Sequence, residues 1–592
     1  MARESFTSEE VAHILNTHFV CIKMDKEQYP HIDGYFQKTF QLLNKRSGGW
    51  PLSIFMTPAQ GVFFAGTYLP KNTSHNSMGF VELCERVVSY PKTELEQIAS
   101  EVASAMKQNE TTSYAVRAID AQIETKIISG FEASFDKTYK GFYSAPKFPH
   151  ATSLSLLLQL HLLTKNDKAL QMATESLSAM SEGGIYDQIE GGFYRYSVDE
   201  KWQIPHFEKM LYTNAELVGA LSLAQHICPS ELFEQRIEQT LQEMDRRFLQ
   251  NQVYQSASNA DSQTPSGESM EGYYFVYDYD KAMQYLLSKG VSEQASEDAL
   301  EYLSITQRGN FEDDLSNPYV SGSSVPQEMP IILAHLAKMR EKKQYPFIDY
   351  KINTAWNALY LVGKLQASAL YPKYLNEATQ SLDALLELMY VHGVLYHQSI
   401  KGVEPTQEGL LEDYAFLARA CFVCYEQTRD EKYFEYFQAL TMQTNEKFYK
   451  KTKWLESCDG FDTFADTQDN AYASALATHA MNLLALSLYV GDSEMHALAT
   501  IIIQNNHNQI NKYSFYYATI TMAYLMGQYG VIVKTNAVNI DKFKTEKLDN
   551  PFVCFADNGS DKYEICNFNS CFAQMDNLEE VQSVLEGLLP RL

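Results

Sequence analysis

The run Gly183-Gly184-Ile185-Tyr186-Asp187-Gln188-Ile189-Glu190-Gly191-Gly192-Phe193-Tyr194-Arg195-Tyr196 sets four glycines around carboxylates, a guanidinium and several phenols. Glycine permits tight backbone paths and the tyrosines supply ring faces, so the segment suits the rim of a ligand site. Asp187 is a candidate acid/base group there, with Tyr186, Arg195 and Tyr196 as candidate ligand contacts. The run continues through Trp202, a further candidate contact, to Pro205-His206-Phe207-Glu208. A helix is expected to open at His206 with Glu208 in its first turn, where the N-terminal dipole favours a neutral imidazole and an ionised carboxylate. Such a pair can move protons. The bland alternative is that His206 caps the helix and Glu208 complements its dipole.

Three further clusters have the same flavour. Asp261, in Asn259-Ala260-Asp261-Ser262, precedes Glu271-Gly272-Tyr273-Tyr274 and joins Asp187, His206 and Glu208 as a catalytic candidate. The stretch from Asp349 to Asn357 offers Asp349, Lys351, Trp356 and Asn357 as binding residues, and Glu412-Asp413-Tyr414 offers Asp413 and Tyr414. Acidic residues at helix starts commonly serve as caps. What argues for more is their repetition beside Trp and Tyr, the equipment that grips sugars through hydroxyl hydrogen bonds and ring stacking. Epimerisation beside a carbonyl would need two opposed acid/base groups. Only His206 of the fourteen histidines sits in a convincing rim motif, with His150 a weaker second. Glycoside cleavage would need two carboxyl groups facing each other across the scissile bond; Asp187, Glu208, Asp261, Asp349 and Asp413 are the candidates.

These segments must be positioned by helices. From about Thr125 to Gln528 the apolar pattern is a succession of helical stripes separated by Gly, Pro, Asn and Asp, roughly twelve to fourteen segments by periodicity. That number suits a closed ring of helix hairpins. Gln252 to Ala257 and Tyr273 to Tyr277 read as the strands of a hairpin inserted between two helices. Before residue 110 the pattern is α/β: a helix through Val11 to Leu15, a strand Phe19 to Met24, a helix around Tyr35 to Leu43, and strands Leu52 to Met56 and Val62 to Phe64. Pro51 sits immediately ahead of the first of these last two strands, where a cis bond and a trans turn proline are both open. The final sixty residues return to short strands followed by a helix through Leu578 to Leu588. The expected division is therefore 1–110, an α/β front domain; 120–528, an (α/α)6 toroid with an inserted hairpin; and 529–592, a small α/β appendage.

At 592 residues the chain needs more than one core. Its 48 Lys and Arg against 74 Asp and Glu give a net charge of −26, which repels phosphate backbones and anionic lipid and argues against nucleic-acid or membrane partners. Without a long apolar run or a leader-like N-terminus it reads as soluble and cytoplasmic. Its nine cysteines lack the spacing of a secreted disulfide scaffold. Cys421 and Cys424 fall on an apolar helical stripe and are read as core. Cys566 and Cys571 have no Cys or His pair nearby to make a zinc site and are read as plain thiols, with a labile disulfide as the alternative. No metal or cofactor is expected.

The motifs Arg3-Glu4-Ser5-Phe6, Phe19 to Asp25, Gly48-Gly49-Trp50-Pro51 with Leu52 to Phe55, and Phe64 to Pro70 closely resemble the thioredoxin-like domain of the spermatogenesis-associated protein 20 family and its bacterial relatives. The resemblance continues through Gly141 to His150, Gly183 to Tyr212, Gly309 to Glu312, Thr354 to Asn357 and Asp413 to Leu417. It implies a six-hairpin toroid similar to N-acylglucosamine 2-epimerases and six-hairpin glycosidases. Family members carry a Cys-x-x-Cys a few residues before the position matching Met1, on the preceding strand and helix start. This sequence begins after it, so the front domain is expected to lack dithiol activity. An incomplete N-terminus is the preferred explanation, natural loss of the motif the alternative. Cys21 is expected to be a small buried hydrophobe. Two departures from the family pattern stand out: Ala471-Tyr472-Ala473-Ser474 replaces a Pro-Ser-Gly-Asn-like run, and Asn259 replaces the first carboxylate of an Asp-Ala-Asp. The functional expectation is a carbohydrate-active protein, isomerase/epimerase-like or glycosidase-like, holding a small sugar-like ligand at the toroid mouth. The alternative is a non-catalytic sugar-sensing or scaffold protein whose front domain contacts a protein partner.

Overall fold

The computed structural model of the chain describes residues 2–74, 78–111, 118–400, 403–543 and 548–590. It divides into two compact units, one of Met1–Ala115 with Lys450–Phe464 and one of Val116–Tyr449 with Ala465–Leu592.

The first unit holds α1 (Glu9–His18), α2 (Pro30–Asn44), α3 (Phe80–Ser89) and α4 (Lys92–Thr111) around an antiparallel pair, Ser53–Met56 with Val62–Gly66. The Trp50–Pro51 bond is cis. Val11, Phe55, Phe80, Leu83 and Cys84 make one core, and Val62, Val102 and Met106 another. The 450–464 segment belongs to this unit. Its Phe461 ring packs on Tyr35 and Phe36, and Asp459 lies 3.0 Å from Nε2 of the buried His31. The strand expected at Phe19–Met24 does not form. Among the described residues nothing pairs with it, so its backbone has no ladder, and Val20, Ile22 and Cys21 are exposed where a buried strand was expected.

In the second unit the helices are α5 (Ile123–Ser134), α6 (Ala151–Thr164), α7 (Asp167–Glu182), α8 (Leu211–Ile227), α9 (Glu231–Phe248), α10 (Tyr279–Ser288), α11 (Glu293–Tyr302), α12 (Met329–Arg340), α13 (Thr354–Ser368), α14 (Lys373–Met389), α15 (Leu411–Thr428), α16 (Glu431–Phe448), α17 (Ala475–Val490), α18 (Ser493–Asn505), α19 (His507–Tyr513) and α20 (Ala518–Tyr529). Six of them close a ring: α6 packs on α8, α8 on α13, α13 on α15, α15 on α17, α17 on α20, and α20 returns to α6. The sequence separates inner from outer helices by the width of the apolar face. In α17 every residue from Ala475 to Leu488 is buried, as befits a helix surrounded on all sides, whereas α16 buries one stripe, Tyr433, Phe437, Leu440, Thr441, Thr444 and Phe448. Among the described residues of 123–529 these sixteen helices exceed the twelve to fourteen expected because α10–α12 form an insertion with its own core between α9 and α13, and α19 is a short extra helix.

Two corrections concern the rim. The hairpin lies at Asp261–Gln263 paired with Ser269–Glu271, since Tyr274, Phe275 and Val276 pack as core with Phe207 and Tyr194, and Tyr277 packs with the α10–α12 core, rather than as a strand. His206 does not open a helix: Pro205–His206 pairs with Tyr196–Ser197, Lys209–Met210 pairs with Ala257–Ser258, and α8 begins only at Leu211. The glycine-rich run thus feeds a pair of short strands.

Residues 531–588 build a four-stranded sheet in the order Val553–Asp557, Val531–Thr535, Tyr563–Cys566, Cys571–Met575, with α21 (Ala537–Phe543) and α22 (Leu578–Gly587). Cys566 and Cys571 are opposed in the last hairpin and joined as a disulfide, which corrects the expectation of plain thiols. Cys421 and Cys424 are buried, as expected. Among the described residues no helix is long and apolar enough to cross a membrane.

In the seam of α8 against α13 a Cβ added to Gly363 would meet the Ala215 carbonyl at 2.4 Å. Backbone cannot yield as a flexible side chain does, so Gly363→Val should cost roughly 1–3 kcal/mol or more, read as a lowered denaturant midpoint at unchanged slope.

Candidate functional site

The six inner helices begin at one end of the ring, and side chains stitch their starts together. Lys147 and Ser197 exchange backbone bonds between the approaches to α6 and α8. Tyr212 of α8 meets Trp356 of α13 edge to face at 4.8 Å. The Asp413 carboxylate at the start of α15 accepts the Ala355 N–H of α13 at 3.1 Å. Glu412 accepts the Tyr472 hydroxyl ahead of α17 at 2.8 Å. Asp469 accepts the N–H groups of Ser474 and, at the start of α20, Thr519, at 2.8 and 2.9 Å. Ser153 of α6 donates to the Phe515 carbonyl at 2.7 Å, which closes the circle. Each bond satisfies a donor or acceptor that a helix end or loop leaves open.

On the rim, His206 lies between two carboxylates. Its Nδ1 is 2.7 Å from Glu271 and its Nε2 is 3.4 Å from Glu208, while Arg195 donates to Glu208 at 3.1 Å. Tyr196 stacks on the His206 ring at 5.2 Å, and Phe148 stacks on Tyr196 at 4.8 Å. Burial alone would lower the His206 pKa, but its bonds to Glu208 and Glu271 outweigh that and raise it to about 9. Burial alone would raise Glu208, yet His206 and Arg195 hold it down to about 2. The expected neutral imidazole is therefore an imidazolium, because neighbouring carboxylates decide its charge where no helix terminus is present. His150 differs: it sits at the start of α6 in the left-handed region at φ 49°, among Tyr143, Phe148, Phe515 and Tyr516, and burial lowers it to about 4.

Deeper in the mouth, Tyr472 packs on Tyr212, Trp356 and Phe416 with ring centroids at 5.1, 6.4 and 6.0 Å. Burial, then the neighbouring Asp413 charge, raises Glu412 to about 7. Burial raises Glu216, on α8, to about 8 even though its carboxylate accepts the Ala473 N–H at 2.7 Å. Glu216 is only partly exposed. His397, Glu412 and Asp413 bring potential metal-ligand atoms within 4.8 Å of one another. The Asp413 carboxylate, however, is already filled by the N–H groups of Ala355 and Leu410 and by His397 Nδ1. A hydrogen-bonded network explains this trio without an ion.

The residues singled out from sequence divide by location. His206, Glu208, Arg195 and Tyr196 come together. Asp261 is directly across the hairpin from Glu271 and bonded to Ser269 at 2.9 Å. Asp349 and Lys351 pair with each other at 3.0 Å on the strands before α13, and Trp356 reaches the deeper cluster. The remainder lie within the wall. Asn357 clamps the Tyr254 backbone through both amide atoms, Tyr414 is buried against Phe448, Tyr186 donates to Gln239, and Trp202 donates to the Lys140 carbonyl. Asp187 is buried with Glu190 and Glu243 among Lys209, Arg246, Arg247 and Arg340. Burial opposes its ionisation, but Arg340 and Lys209 hold it far below the usual carboxylate range. Sequence reasoning missed Glu271, Tyr212, Glu216 and Tyr472, and chose Asp413 over its neighbour Glu412. The available signal was helical phase: a capping Asp at the first turn turns its neighbour toward the axis.

Residues 1–110 match the family model Thioredox_DsbH, described as a protein of unknown function, DUF255. Human spermatogenesis-associated protein 20 is 29% identical over 551 residues, covering 83% of this chain and 70% of the human protein. An uncharacterized Caenorhabditis elegans protein is 28% identical over 532 residues, covering 82% of this chain and 73% of that one. Among solved structures, a family 76 glycoside hydrolase from a bovine Bacteroides thetaiotaomicron strain is 9% identical with a TM-score of 0.41 and covers 68% of this chain and 76% of its own. Cellobiose 2-epimerase from Spirochaeta thermophila is 13% identical with a TM-score of 0.29, covering 71% and 99%.

Two predictions follow from the geometry. Asp187→Ala removes one of the two carboxylates that each of Lys209 and Arg340 contacts in the interior and should cost roughly 3–5 kcal/mol, while Asp261→Ala on the hairpin should stay within about 0.5 kcal/mol; denaturant titration checks both. His206 has a folded pKa of about 9 against 6.5 unperturbed. Its stabilisation should be complete below about pH 6.5 and lost as pH rises through about 9. An imidazole NMR titration should show that midpoint, and His206→Gln should flatten the pH dependence of stability in that window. The observations together place this chain: over most of its length it resembles the spermatogenesis-associated protein 20 proteins, with a DUF255 thioredoxin-like match at its N-terminal end.

Proposed function

We propose that the mouth of the ring binds a small sugar-like ligand and carries out acid–base chemistry on it of the isomerase or hydrolase class. The observation that supports this most strongly is that carboxyl groups on both sides of neutrality stand at the end of the ring where the helix starts meet. Glu208 is held down to about 2, whereas Glu412 and Glu216 are raised to about 7 and 8. Titratable groups pushed apart in this way supply an acid and a base at one pH. The ring faces of Tyr196 and Phe148 at the rim and of Tyr212 and Trp356 below it suit stacking on a pyranose. In this reading Glu412 or Glu216, raised toward neutrality, exchanges the proton, the ionised Glu208 and protonated His206 bind ligand hydroxyls, and Arg195, Tyr196 and Trp356 orient the ligand. Asp187, Asn357 and Asp413 act as positioning residues that hold the rim and helix starts in place.

The sugar epimerase and glycoside hydrolase neighbours are consistent with such a ligand. A panel of free hexoses, N-acetylhexosamines and short oligosaccharides, followed by thermal shift and by proton NMR for epimerised or cleaved products, tests the reading. A true ligand at about a hundred times its Kd stabilises by ~2.7 kcal/mol. That shift should vanish in His206→Ala and Glu208→Gln, which leave the buried ion cluster untouched. A sugar shift that survives both variants would refute the assignment of the rim.

A further inference from the structure

In the order α6, α8, α13, α15, α17, α20 around the ring, α17 and α8 are diametrically opposed. The irregular segment 465–474 leads into α17, yet its tip touches α8 on the far side: Ala473 donates to Glu216, and Tyr472 packs on Tyr212. On the way it reaches α13 through Trp356 and α15 through Phe416 and Glu412. The segment therefore spans the mouth. It is anchored on its own side of the ring by Asp469, which accepts the Ser474 and Thr519 N–H groups, and by Thr467, which donates to Asn506.

The Tyr472 side chain has the form of a bound ligand. It is a six-membered ring held on several aromatic surfaces, with one hydroxyl directed at a carboxylate. Beneath it Glu412 is 95% buried, and its second oxygen, Oε1, has no hydrogen-bond partner. An unsatisfied buried carboxylate oxygen is costly unless another donor occupies it. Tyr472 has only one hydroxyl and cannot serve both oxygens, whereas vicinal hydroxyls of a pyranose can. Tyr472 itself keeps part of its surface open, so it can move outward without disrupting the core.

We propose that Tyr472 is an internal stand-in: it fills a pyranose site formed by Glu412, Trp356, Tyr212 and Phe416, and a ligand's vicinal diol replaces its hydroxyl on Glu412 when segment 465–474 swings away. The identity of the occupant rests on the sugar reading above; the covering of Glu412 by Tyr472 does not. A ligand that binds only the uncovered form has its apparent Kd raised by the reciprocal of the open fraction, so a site open about one-tenth of the time binds about tenfold more weakly.

Access and occupancy are tested separately. In folded Tyr472→Ala, carbodiimide with glycinamide should label Glu412 at least tenfold faster than in wild type, as read by peptide mass spectrometry; equal rates overturn the covering role. In wild type, which needs no variant to fold, the Ala473 amide should exchange hydrogen at least a hundredfold faster than the Ala477–Leu488 amides of α17. Exchange at the same rate as α17 would mean that the segment opens only with the whole ring, and overturns it as well. For occupancy, cellobiose and D-glucose are titrated calorimetrically. At least one should bind Tyr472→Ala tenfold or more tighter than wild type, with the gain lost in the Tyr472→Ala/Glu412→Gln double variant. Glu412 uncovered without any gain overturns the pyranose assignment, while the rim reading stands or falls on His206→Ala and Glu208→Gln in the otherwise intact chain. Weaker sugar binding by Tyr472→Ala than by wild type makes Tyr472 a platform and overturns the stand-in.

Discussion

Six helix starts converging on one end of a ring create a shared electrostatic problem. Each brings unpaired N–H groups and the positive end of a dipole into a confined space. The chain answers with carboxylates and amides. Asp413 serves Ala355 and Leu410, Asp469 serves Ser474 and Thr519, Glu216 serves Ala473, and Asn357 serves Tyr254. Most of the acidic residues near the mouth are thereby committed to holding the ring together. A few are left over, and those few give the site its chemical character.

The division between committed and spare groups accounts for the spread of protonation states. Asp187, ringed by Lys209 and Arg340, stays ionised and locks the glycine-rich run to α12. Glu208 stays ionised because His206 and Arg195 face it. Glu412 and Glu216 have no cation bonded to them and are pushed upward by enclosure. One end of one ring thus holds carboxyl groups on both sides of neutrality, a consequence of packing rather than of residue type.

The segment before α17 belongs to the same economy. Its amides answer carboxylates of α8 and of its own loop, and its tyrosine answers Glu412. Satisfying these groups from within leaves the polar atoms at the mouth largely paired with the chain's own atoms. The four-stranded sheet at the C-terminal end has its own core and disulfide and shares none of these contacts.

The sequence alone determined the helical character of the second unit, because one-sided stripes such as that of α16 are written in apolar periodicity. It also disclosed the rim: His206, Glu208, Arg195 and Tyr196 stand close along the chain, so local composition was enough to pick them out. Only the tertiary structure decided the rest. Whether Phe19–Met24 forms a strand depends on a neighbour to pair with, and whether His206 carries a charge depends on Glu208 facing it and on Glu271, 65 residues away. The choice of Glu412 over Asp413, and the arrival of Tyr472 from the opposite side of the ring, depend on which way a side chain faces once six helices have closed. Periodicity states which face of a helix is apolar, but not which groups meet across the ring axis.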